Sequence, residues 1–265
     1  MYQASPKIPT EGLIFYVDAA SKLSTNSPTG DVFATNFHDI TGNYPRGYAN
    51  PNVINTAQGA FDTGEFGGYW TFDGTNDYAK YGQRAYVSGF LANAQNNRQM
   101  SIIAWYRTHS DHNGILLSGD DVANSRKCFQ FKKKDTGVMQ LVWQFYQSGL
   151  SGSNIFATNT SVSNNVWHQF AATVDGYAAS DTWEAGAKIY LDGVEHAATN
   201  NNVNKRSGGT ISNPKIVIGM QEEGDNTNSF DGDISNIKMY ERVLSADEIK
   251  QDYNAIGPRF GFDSI

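Results

Sequence analysis

Residues 166–176 read VWHQFAATVDG, and residues 187–193 read AKIYLDG. In the first stretch His168, Phe170, Ala172 and Val174 share one parity; in the second Ile189 and Leu191 do. Side chains on a strand alternate between faces with a period of two, so each stretch predicts a strand with an apolar face. Each ends in Asp-Gly, at Asp175-Gly176 and Asp192-Gly193. That dipeptide is hairpin chemistry, because glycine accepts the positive φ that tight turns demand. These aspartates are read as turn-formers, and His168 as a satisfied core or sheet histidine.

The same rhythm extends outward. SIIAWYR at 101–107 and the stretches 114–117, 128–132, 138–147 (VMQLVWQFYQ), 215–220 and 232–240 are strand candidates separated by turn residues. Residues 12–18 (GLIFYVD) form a near-continuous apolar run, which predicts a buried strand. The polar stretch from Ser21 to Gly68 is too long for a simple loop and is expected to hold short strands, Val53 and Ile54 in one of them. One helix is legible. Ser245-Ala-Asp-Glu248 is a capping box, Ile249 and Tyr253 fall on one side, and Gly257-Pro258 ends it. It is expected to cover a sheet end. No internal repeat or linker divides the chain, so residues 12–265 are read as one domain and residues 1–11, with Pro6 and Pro9, as an N-terminal arm. The expected fold is all-β, a sandwich of two antiparallel sheets with one short C-terminal helix. Trp143, Trp167 and Phe72 are assigned to its core.

Composition narrows the function. The 265 residues carry a formal charge of −7, so the basic face that phosphate neutralisation requires is missing, and nucleic acid is not an expected partner. The densest basic run, Lys132 to Lys134, is followed at once by Asp135 and reads as a solvated hairpin tip. Cys128 is the single cysteine, which excludes an intrachain disulfide and reads as a lone buried thiol. The opening residues, MYQASPKIPTEG, lack the pattern of a secretory leader, and no run approaches the roughly 20 apolar residues of a membrane span. The expectation is synthesis in a reducing cytoplasm without membrane insertion.

Several stretches, in order, resemble the concanavalin A-like lectin/laminin G-like jelly-roll superfamily, in the form found in tailed-phage virion structural proteins. They are Gly12 to Ala19 (GLIFYVDA), Asp39 to Asn43 (DITGN), Phe72 to Tyr78 (FDGTNDY), Trp167 to Gly176, Ile189 to Gly193, Phe230 to Tyr240 (FDGDISNIKMY), Leu244 to Ile249 (LSADEI) and Tyr253-Asn254. The ending from Tyr253 to Gly261 (YNAIGPRFG) is similar to tails of marine tailed-phage structural proteins. The resemblance implies a concanavalin A-like jelly-roll sandwich. It leaves function open, since one sandwich hosts lectins, adhesins, glycanases and structural modules.

Candidate sites follow. Retaining glycanases use two carboxylates about 5–5.5 Å apart, which on this fold are implied to come from one strand in an E-x-D-x-E-like pattern; none occurs. Glu222 and Glu223 are adjacent, so on a strand they point to opposite faces, while Asp231 and Asp233 flank the glycine of a family motif. His109-Ser-Asp-His112 offers imidazole and carboxylate to a metal, but is read as a solvated loop; His38 and His196 are isolated. Asp73, Asn76 and Asp77 cluster hard oxygens as Ca²⁺ requires; the alternative is an Asx-turn hairpin without metal. For glycan, Gln140, Gln144 and Tyr146 fall opposite Leu141, Trp143 and Phe145 and would line an open sheet face if the latter face the core. Tyr177 and Trp183, in the loop from Gly176 to Gly186, are further candidates for stacking on sugar rings; the alternative for these aromatics is packing in the sandwich or a subunit interface.

The expected function is that of a non-catalytic virion surface protein, a capsid decoration, head fibre or tail-associated adhesin. Its expected partners are other virion proteins in a symmetric assembly, together with a cell-surface glycan. A free or secreted carbohydrate-binding lectin and a glycan-cleaving enzyme are the alternatives.

Overall fold

A computed structural model describes residues 7–21, 24, 39–41, 61–62, 68–82, 99–121, 126–143, 154–175, 187–197, 199–201, 214–221 and 228–265. The strands in chain order are β1 (Leu13–Asp18), β2 (Phe61–Asp62), β3 (Tyr69–Asp73), β4 (Ala79–Gly82), β5 (Gln99–Thr108), β6 (Gly114–Asp121), β7 (Arg126–Lys133), β8 (Val138–Trp143), β9 (Asn154–Ser161), β10 (Trp167–Asp175), β11 (Ala187–Leu191), β12 (Val194–His196), β13 (Thr199–Asn201), β14 (Pro214–Ile218) and β15 (Asp231–Tyr240). They form two antiparallel sheets. Sheet A runs β12-β11-β10-β5-β15-β3-β2, with β1 also paired to β15; sheet B runs β13-β9-β8-β7-β6-β14-β4. The two-sheet sandwich expected from the alternation is present. Val53 and Ile54 lie outside the described residues.

The inward faces are those that the period of two selects, except that a bulge in β15 after Ile234 shifts the parity to Ile237 and Met239. From sheet A, Ile102, Ala104, Tyr106, Phe170, Ala172, Val174, Ile189, Leu191, Ile234, Ile237 and Met239 enter one core. Phe72, Phe129, Phe131, Met139, Leu141, Ile216 and Ile218 join it, and Phe131 stacks on Phe170 across the sheets with ring centroids 4.3 Å apart. Cys128 is buried in the same core, where a bulge between β6 and β7 shifts its register. Asp192 (φ 51) and Gly193 (φ 76) make the two-residue turn joining β11 to β12, both in the left-handed region that a type I′ turn needs.

The outer face of sheet A is buried too. It carries Ile103, Trp105, Ala171, Tyr190 and Tyr240, and the helix α1 (Ala246–Ile256) lies over it. Ile249 packs among Ile103, Ala171, Tyr190, Tyr240 and Leu244, while Tyr253 and Ile256 pack with Trp105, Trp167 and Phe260. The helix therefore covers a sheet face and not a sheet end. Ser245 caps it with both reciprocal bonds of the capping box. Trp167 is buried as expected, but in this outer cluster, because it has the parity of Ala171 and not of Phe170. The side chain of Trp143 lies outside the described residues.

Part of the stretch set apart as an arm is fastened to the body. Ile8 packs against the Trp105 cluster, Lys7 and Pro9 carbonyls accept from Gln251 Nε2 and Tyr240 Oη, and Arg242 Nε donates to the Glu11 carbonyl. No described helix is long and apolar enough to cross a membrane.

Candidate functional site

The loops at one end of the sandwich bring together most of the polar groups that the sequence singles out. In the β3–β4 turn, Asp73 Oδ1 accepts from the amides of Thr75 and Asn76, and Asp77 Oδ2 accepts from the Asp73 amide at 3.0 Å. This is the Asx-turn geometry weighed as the alternative to a metal site. Two oxygens are left over: Asn76 Oδ1 and Asp77 Oδ1 are buried and make no hydrogen bond. Burial raises the Asp77 carboxyl above its usual value, opposed by the bond from the Asp73 amide. Buried oxygens without donors suit a hard cation, and Ca²⁺ takes six to eight of them, so carbonyls or water must complete any sphere here. Among the described residues no group of three or more His, Cys, Asp or Glu side chains surrounds a common point.

Beside this turn, the β5–β6 loop meets the start of β15. Asp233, 1% exposed, accepts from Arg107 Nε (2.8 Å) and Thr71 Oγ1 (2.7 Å), and His109 Nε2 lies 2.9 Å from it. His109 Nδ1 is 3.6 Å from Asp231, which also accepts from Ser110 Oγ. The loop read as solvated is thus tied down by both aspartates. Gly232 between them has φ +154, and a Cβ there would sit 2.2 Å from the Arg107 carbonyl oxygen, so only glycine lets β15 approach β5. The Arg107 guanidinium also lies 5.2 Å from the rings of both Tyr69 and Trp167. These carboxylates are spent on structure.

Lys133 corrects the reading of the basic run. It ends β7 with core parity, its side chain is 1% exposed, and Nζ donates to the Ser110 carbonyl (2.7 Å), Asn164 Oδ1 (2.7 Å) and Asp111 Oδ1 (3.3 Å). Asn164 in turn donates to Asp111, and these two donors hold the Asp111 carboxyl below its usual value. The lysine plugs the end of the core and pins the β5–β6 and β9–β10 loops together.

Gln140 has the outward parity expected, between Met139 and Leu141 of the core, yet it is only 9% exposed and does not line an open face. Its neighbours on that side are buried as well: Gln130 Nε2 donates to Gln221 Oε1, and Ser118 Oγ bonds the carbonyls of Met220 and Gln221. Gln144, Tyr146, Tyr177 and Trp183 lie outside the described residues, as do Glu222 and Glu223. Sequence reasoning missed the Arg107–Asp233–His109 network and the Lys133 plug. The one available signal was Arg107, a charge ending an apolar strand with the parity of Trp105.

A family model described as the concanavalin A-like lectin/glucanases superfamily matches residues 73–250. Trypanosoma rangeli sialidase in complex with sialic acid is similar in fold, with TM-score 0.58 and 16% identity over 95% of this chain and 34% of that one. A mutant of the same sialidase displaying trans-sialidase activity gives TM-score 0.58 and 15% identity over 97% and 35%. A native heptameric SAP-like pentraxin from Limulus polyphemus gives TM-score 0.48 and 16% identity over 68% and 78%. The chain spans about a third of the length of the sialidases, and at these identities the likeness is one of fold alone. No curated protein matches the chain by sequence.

Proposed function

We propose that this chain, which belongs to the concanavalin A-like lectin/glucanases superfamily, binds carbohydrate without cleaving it and is displayed on the surface of a virus particle. The observation that carries the non-catalytic reading is the state of the rim carboxylates. Asp233 is buried under Arg107, Thr71 and His109, Asp231 is held by Ser110 and His109, and Asp73 closes its own turn. Glycoside hydrolysis needs one carboxyl to give a proton and another to attack or activate water, each with room for sugar beside it. Asp233 and Asp231, the one i,i+2 pair among them, are both already bonded by neighbouring side chains, and Asp233 is buried as well.

Carbohydrate binding is supported by family membership, and the proposed contacts are Gln144, Tyr146, Tyr177 and Trp183, whose aromatic rings suit sugar faces and whose amide suits hydroxyls. Gln140 contributes only where bound glycan reaches a largely buried side chain. Within this reading Asp73, Asn76 and Asp77 would hold a calcium ion, which would fix the turn and neutralise its buried oxygens. The virion assignment rests on the form of the family pieces between Gly12 and Asn254 and on the stretch from Tyr253 to Gly261, both similar to tailed-phage structural proteins. Mass spectrometry of purified particles tests it: presence in stoichiometric amount supports display, and absence leaves the free lectin.

A further inference from the structure

Beneath α1 three reactive side chains meet in a site from which water is excluded. Lys238 and Asn236 of β15 and Asp252 of α1 are each 0% exposed. Lys238 Nζ donates to Asn236 Oδ1 at 2.9 Å and to Asp252 Oδ2 at 3.2 Å, and lies 2.9 Å from Asp252 Oδ1. Asp252 Oδ2 also accepts from Gln169 Nε2. Lys238 sits across from Ile103 on one side and from Tyr16, whose ring is 5.3 Å from Nζ, on the other; Asn236 sits across from Trp105 on one side and, on the other, from Asp18, which is paired with Arg259. Asn236 Nδ2 makes no hydrogen bond. A primary amine, a carboxamide and a carboxylate are thus held in contact, with the amide nitrogen of the carboxamide unrestrained.

We propose that Lys238 and Asn236 become joined by an isopeptide bond between Nζ and Cγ, with Asp252 as the acid–base group. Burying an ammonium beside a carboxylate is penalised by lost solvation, and passing one proton from Nζ to Asp252 removes both charges and leaves a nucleophilic amine. Nζ then attacks Cγ of Asn236, and the Nζ–Cγ bond forms. Asp252 gives its proton to Nδ2 and takes one from Nζ, the Cγ–Nδ2 bond breaks, and ammonia leaves. Ammonia finally takes the proton from Asp252, which ends as carboxylate. Amine plus carboxamide gives amide plus ammonia, with no oxidant or co-reactant. The fixed contact supplies the proximity that makes such an intramolecular step accessible.

The test is the intact mass of the purified full chain, with trypsin mapping. The expected mass is one ammonia below that of the sequence, and trypsin, which needs a free lysine, reads through Lys238 to Arg242. Asp252→Asn and Lys238→Met are expected at full mass. Full mass for the unaltered chain, with cleavage after Lys238, overturns the proposal. So does a loss of one water with a peptide joining Lys238 to Asp252, or a loss of ammonia that persists in Lys238→Met.

Discussion

His168 Nδ1 lies 2.8 Å from Asp192 Oδ2, so the imidazole of β10 is tied to the turn that joins β11 to β12. Asp192 Oδ1 meanwhile accepts from the Gln169 amide, and the residue itself holds φ 51. One side chain thereby caps a neighbouring strand, orients a histidine and supplies a turn. Replacing it by alanine removes two acceptors from partly buried donors and places a Cβ residue without local hydrogen bonds in the left-handed region. Asp192→Ala is expected to destabilise the fold by about 1–3 kcal/mol, read from urea unfolding. An unchanged midpoint would mean the turn is held by Gly193 alone.

Glu248 closes the capping box and pairs with Arg242, with Oε1 2.5 Å from Nη2. The Arg242 bonds come first among the causes that hold its carboxyl down to about 2, with the Ser245 amide adding to them against desolvation. Because the folded value lies below the unfolded one, the contribution is present above the ordinary carboxylate range and fades as pH falls from that range towards 2. The group is partly solvated, so the effect belongs with surface pairs at up to about 1 kcal/mol. Glu248→Gln should be less stable than the parent at pH 7, and the gap should close on acidification. A gap that is constant with pH would assign the loss to packing.

Trp105 is stacked between Tyr253 and Phe260, with ring centroids 5.5 and 4.8 Å away. It is the anchor of the helix on the outer face of sheet A. Trp105→Ala should cost about 3–5 kcal/mol, comparable to truncating an aromatic in the central core such as Phe72. If Phe72→Ala unfolded the chain while Trp105→Ala left the midpoint unmoved, the helix would be an ornament on the sandwich and not part of its core.

If calcium occupies the β3–β4 turn, the free oxygens Asn76 Oδ1 and Asp77 Oδ1 are where it must gain. Ligand linkage then raises the melting temperature on adding Ca²⁺ and lowers it with chelator, and Asp77→Asn should abolish most of the difference. Equal melting in Ca²⁺ and chelator would return the turn to an Asx hairpin without metal.

How much of this was legible in the sequence depends on the range of each interaction. The strands β10 and β11, the Asp192-Gly193 turn and the Ser245 capping box are local patterns, and they were read correctly from neighbours one to four positions apart. SIIAWYR was read as a strand, but a run apolar on both faces does not say which face meets the other sheet, so the second cluster around Trp105 and Trp167 stayed hidden. Lys133 was misread because its charge argued for solvent while its parity argued for the core. What decides is Asn164, 31 residues away, and no local rule reaches that far. The Arg107–Asp233 bond spans 126 residues. The glycan candidates beyond Gln140 fall outside the described residues, so the site stands on chemistry and family, and the rim on geometry.

Glycan-array binding by the purified full chain, with spot masses recorded before and after incubation, tests the central claim most directly. The account predicts retention on a defined set of glycans, weakened at least tenfold by Trp183→Ala or Tyr177→Ala, which corresponds to about 1.4 kcal/mol, with every bound glycan unchanged in mass. No retention on any glycan would contradict the binding claim, and a shortened glycan would contradict the claim that the chain does no chemistry on it.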